Sequence, residues 1–70
     1  MTQATDLKKQ RIDEIERFAT EVFGSKETAK EWLGAKNIAL GATPKSKLDR
    51  VEGAMEVRKI LTTIAKGGVV

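Results

Sequence analysis

Ile12, Ile15, Phe18, Ala19, Val22 and Phe23 recur at the spacing of one helical face, and Gly24 ends the run. Asp13, Glu14, Glu16, Arg17, Thr20 and Glu21 fill the other side, with Asp13 and Arg17 as an i,i+4 pair. Such a helix holds in water only when its apolar stripe is covered. The cover must come from the rest of a chain of only 70 residues. A chain of that size buries about 60% of its unfolded surface, enough for one modest core. It has no Cys and no His, so no disulfide or thiolate–imidazole zinc site supplements packing. The fold must therefore be one small domain, 1–70, held by apolar contact alone.

Before Ile12 the division blurs, because Lys8 and Arg11 fall inside the apolar arc. The helix is read from Asp6 to Phe23, its first turns fraying or projecting beyond the core, with residues 1–5 disordered. Ser25 is placed to cap a short helix, Lys26 to Leu33, with Ala29, Trp32 and Leu33 facing inward. GAKNIALGAT, residues 34–43, is too rich in glycine for a helix and reads as a loop across the core through Ile38 and Leu40. No Gly-Lys-Ser/Thr follows it and no strand precedes it, so it is not a phosphate cradle. Thr43-Pro44 starts a third helix of a turn or two, ending near Leu48.

Asp49 stands three residues before Glu52, the spacing of a capping box, and Gly67-Gly68 closes the last helix. Between them Val51, Ala54, Met55, Val57, Ile60, Leu61, Ile64 and Ala65 spread over about 220° of the wheel, against the ~100° that docking on one core needs. Gly53 inside that arc costs about 1 kcal/mol relative to Ala, which close approach of another helix would explain. Two readings of the wide arc stay open: a central helix packed on several sides, or a face for a partner, including a homodimer. The expected architecture is an all-α bundle of four helices, two longer ones flanking two short ones, without strands. Its expected core is Ile15, Phe18, Val22, Trp32, Leu33, Leu40, Leu48, Val57, Leu61 and Ile64.

The missing Cys and His also remove thiolate and imidazole catalysis, and Tyr is absent as well. With no marked pair of carboxylates or lysines, the chain reads as a non-enzyme without catalytic, cofactor-binding or metal residues. No apolar run approaches the ~20 residues of a membrane helix, and Met1 to Asp6 lack the apolar region of a secretory signal. The expected location is the cytoplasm. Residues 1–22 carry four basic and five acidic groups, and residues 23–70 carry nine and five. The mild excess of +3 favours an acidic partner. Lys26, Lys30, Lys36, Lys45 and Lys47 are most simply a solvated surface. A small basic nucleic-acid-binding protein is the alternative, as is a homodimeric scaffold. The former has poor support, because about ten residues separate Leu33 from Pro44, too many for a helix-turn-helix.

Read from Phe18 onward, the chain carries Ala19, Val22-Phe23-Gly24-Ser25, Glu27, Ala29, Trp32-Leu33 and Asn37. It continues with Ala39-Leu40-Gly41, Thr43-Pro44, Leu48, Glu52-Gly53-Ala54, Val57, Leu61, Ile64 and Gly67. In order and spacing this resembles the Xre/MbcA/ParS-like antitoxin toxin-binding domain, over three quarters of the chain. The resemblance implies a bacterial antitoxin that binds a RES-domain toxin, an enzyme consuming NAD, and occludes its cleft. It implies toxin contact by the C-terminal region, here Arg58, Leu61, Lys66, Gly67, Gly68, Val69 and Val70, with a carboxylate at Val70 as the anion offered to the pocket. Family members usually bind DNA through a further N-terminal domain. Only one amphipathic helix precedes the match here, so DNA binding is not expected of this chain. Lys36 stands where the family commonly has proline.

Overall fold

The computed structural model describes residues 4–67. It consists of α1 (Ala4–Phe23), α2 (Lys26–Gly34), α3 (Pro44–Lys47) and α4 (Val51–Ala65), and no strand among the described residues. This is the all-α bundle of two longer helices and two short ones that the sequence leads one to expect.

Local chemistry sets most of the boundaries. Gly24 takes φ +79 and donates its N–H to the Thr20 carbonyl at 2.8 Å, ending α1 in the left-handed conformation open to glycine. Ser25 follows in extended conformation, and its Oγ accepts from the Thr28 N–H at 3.0 Å. Thr43 does the same for α3, its Oγ1 accepting from the Ser46 N–H at 3.2 Å, with Pro44 buried at the first helical position.

The start of α4 departs from expectation. Its N-cap is Arg50, with no side-chain cap, and not Asp49. Leu48 stays in the right-handed helical region and Arg50 N–H bonds to the Lys47 carbonyl at 3.4 Å, so the α3 turn runs one residue too far for the capping box. The Asp49 carboxylate turns instead to Lys8, 2.7 Å away. Arg11 adds Nε–H to the Leu48 carbonyl at 3.1 Å and an Nη2–H to the Asp49 carbonyl at 3.0 Å. The two cations that interrupt the apolar arc of α1 thus tie it to the α3–α4 turn, where fraying was expected.

The core is built from small and branched residues: Ile15, Ala19, Ala29, Leu33, Leu48, Ala54, Val57 and Leu61. Ile12, Phe18, Val22, Phe23, Trp32 and Leu40 pack around it half-buried. Trp32 is thus a rim residue whose ring meets Phe23 at a 43° tilt, centroids 5.6 Å apart, not the fully buried anchor that its size implies. Ile64, expected in the core, is half-buried and outside this cluster. The alanines displace the aromatics because they let α1, α2 and α4 approach closely.

Between α2 and α3, Asn37 pairs with Ala42 and organises a tight turn. Its carbonyl accepts from Leu40 and Gly41, and its Oδ1 accepts from Ala39 at 2.9 Å. Gly41 supplies the positive φ, +69. Leu40 reaches the core, while Ile38 is 99% exposed, so only half of the expected apolar crossing forms.

Candidate functional site

The breadth of the apolar arc on α4 resolves into two halves. Gly53, Ala54, Val57 and Leu61 are buried against α1 and α3. Val51 and Met55 stand on the outer side, 55% and 65% exposed. Gly53 has its close approach within the chain: a Cβ there would fall on the Lys47 carbonyl group, 2.8 Å from the carbonyl carbon. The glycine is thus explained by α3 packing on α4, without a second copy.

Along the outer side of α4 runs an open groove of about 670 Å³, walled by Met55, Arg58, Lys59, Thr62 and Lys66, with Glu56 and Thr63 at its edge. Three cations face one carboxylate. The Arg58 guanidinium lies 5.8 Å from the Phe18 ring centroid, within cation–π range. The Thr62 and Thr63 hydroxyls donate back to the carbonyls of Arg58 and Lys59 at 2.9 and 3.0 Å, so they offer the groove acceptors and methyl groups. Lys66 caps the helix, its N–H shared between the Thr62 and Thr63 carbonyls. Gly67, at φ +87, turns the chain out of the helix.

Of the residues expected at the site, Arg58, Lys66 and Gly67 are exposed at this end of α4. Leu61 is not available: it is fully buried in the core, on the side of α4 turned toward α1. Gly68, Val69 and Val70 lie outside the described residues. Met55 and Lys59, which were not singled out for the site, belong to the groove. Their signal was positional, since both fall on the arc that Arg58 and Lys66 share.

Among the described residues no three potential metal ligands cluster, and no helix is long and apolar enough to cross a membrane. Neither a curated protein nor a solved structure matches the chain significantly. The family model described as the antitoxin Xre/MbcA/ParS C-terminal toxin-binding domain does match, over residues 18–67, from the middle of α1 to the glycine that ends α4. With well over half of its length inside that match, the chain belongs to the Xre/MbcA/ParS C-terminal toxin-binding family of antitoxins.

Proposed function

We propose that this chain is a bacterial cytoplasmic antitoxin that neutralises a RES-type, NAD-consuming toxin by laying the end of α4 and residues 66–70 across the toxin's cleft. The observation that carries the reading is the outer side of α4. It keeps Val51 and Met55 in solvent at the start of α4 and continues through exposed Lys59 and Lys66 to Gly67, whose positive φ ends the helix. Apolar side chains left exposed along a helix fit a partner's surface better than they fit water. Family membership makes that partner a toxin. A pocket that holds a dinucleotide is lined with donors around its phosphates, and a slender glycine-containing segment suits entry into such a cleft. In this role the chain contributes no catalytic group and needs no cofactor; it acts by exclusion.

Deletion of residues 67–70 tests this. Gly67 lies outside the core, so the truncated protein is expected to keep its circular dichroism and most of its melting transition. It is expected to lose inhibition of NAD consumption by a cognate RES-domain toxin. A truncated protein that folds and protects NAD as well as the full chain overturns the reading.

A further inference from the structure

The groove on the outer side of α4 has a chemistry that the occlusion of a cleft does not require. Arg58, Lys59 and Lys66 bring three positive charges to it and Glu56 one negative. Lys59 and Lys66 are exposed and make no ion pair among the described residues. Arg58 lies against the Phe18 ring, and Lys59 and Lys66 extend beside it. Met55, 65% exposed, adds a flexible apolar side chain at the upstream end. From Met55 to Lys66 the helix rises about 16 Å.

We propose that this groove docks on an acidic rim of the toxin surface, about 16 Å long, with carboxylates facing Lys59 and Lys66 and an apolar notch for Met55. The inference rests on the toxin-binding reading above and adds the partner's chemistry outside the cleft. A nucleotide pocket attracts anions, and a rim of opposite sign beside it fixes the register in which the antitoxin lands. Charge complementarity of this kind speeds encounter and excludes wrong orientations. Two other occupants fit less well. The outer side of α1 in a second copy offers Glu14 and Glu21 in line with the half-exposed Leu7, but Arg17 stands between the two glutamates and opposes the cations of the groove. A nucleic-acid backbone would accept the cations but gains nothing from Met55 and is repelled by Glu56.

The test uses the full chain, a cognate RES-domain toxin, and binding kinetics at about 50 mM and about 300 mM NaCl. Wild-type affinity is expected to fall with salt. The double variant Lys59→Glu, Lys66→Glu is expected to bind about tenfold more weakly at low salt, through slower association, and to lose most of the salt dependence. Met55→Ala is expected to speed dissociation instead. Both altered lysines are exposed, so unchanged circular dichroism is the control for folding. Salt-independent binding that the double variant leaves intact, with deletion of residues 67–70 still abolishing it, overturns the acidic rim and leaves the occlusion reading standing. Absence of any binding by the wild type sinks both. The rim is equally overturned if toxin binding is unchanged while the double variant dissolves a homodimer or abolishes binding to duplex DNA.

Discussion

Arg11, in the first half of α1, donates its Nε–H to the carbonyl of Leu48 at 3.1 Å, across 37 positions of sequence. Leu48 is itself buried, so the bond ties the outer end of α1 to the floor of the core. The guanidinium fork also reaches the Asp49 carbonyl, closing two acceptors that the α3–α4 turn leaves without helical partners. Arg11→Ala is expected to cost about 1–2 kcal/mol in urea denaturation. Arg11→Lys should recover only part of it, because an ammonium lacks the planar fork. A wild-type midpoint for Arg11→Ala would show the contact to be incidental.

The neighbouring ion pair gives a pH signature. The Lys8 ammonium, by hydrogen bond first and charge second, holds the Asp49 carboxyl below its ordinary value of 3.8. A depressed folded-state value means that the stabilisation is fully present above 3.8 and is lost as the pH falls through the lower folded value. Asp49→Asn should therefore melt below wild type at neutral pH, and the gap should close in acid. Because the pair is exposed, salt should narrow it too. A gap that persists unchanged at low pH contradicts the pairing.

Gly53 can be tested against its helix propensity. In a free helix Gly→Ala gains about 1 kcal/mol. Here the new methyl would strike the Lys47 backbone, which can yield only by moving α3 away from α4. Gly53→Ala is expected to destabilise by about 1–3 kcal/mol net. Stabilisation by alanine would mean that the two helices are further apart than the structure places them.

What the sequence reveals and what it hides follow from the range of each interaction. Ser25, Thr43, Gly24 and Gly67 act within four residues of themselves, and each ends or starts its helix where local chemistry says it should. Gly53 was legible as a close approach because no local benefit explains a glycine there, although its partner, Lys47, was not. Lys8, Arg11 and Asp49 were misread for the opposite reason: their partners lie some forty residues away, and a charged residue on an apolar arc looks like a defect until the other strand of chain is in view. The site divides in the same way. Arg58, Lys66 and Gly67 are where the end of the helix puts them. Leu61 was expected both in the core and at the toxin contact, because an arc about 220° wide does not say which half is dry; α1 and α3 packing on one side puts it in the core.

Leu61 is consequently a stability residue. Fully buried, it should cost about 2–5 kcal/mol on truncation to Ala, a large share of the stability of so small a domain. Arg58→Ala, an exposed change one turn away, should shift the melting temperature much less. If Leu61→Ala retains wild-type stability but fails to bind toxin, the side chain faces outward and the assigned orientation of α4 is wrong.

Gly67 joins fold and function. Its φ of +87 lets its N–H reach the Ile64 carbonyl at 2.9 Å, the bond that closes a helix in a left-handed cap. A Cβ at this position meets nothing within 4 Å, so any penalty for a side chain comes from the backbone alone. An L-residue there costs about 1–2 kcal/mol, which the chain can escape by continuing the helix and re-aiming everything after it. Gly67→Ala should therefore keep its helix content and most of its thermal stability, yet, if the proposed occlusion holds, inhibit the toxin several-fold less well. Chemical synthesis supplies the control at this chain length. D-alanine at position 67 prefers positive φ, adds the same methyl group, and should restore inhibition. If the L- and D-alanine proteins inhibit equally, the direction in which the chain leaves α4 does not matter for binding. If only the D-form inhibits like wild type, the left-handed turn at Gly67 is what aims the final residues.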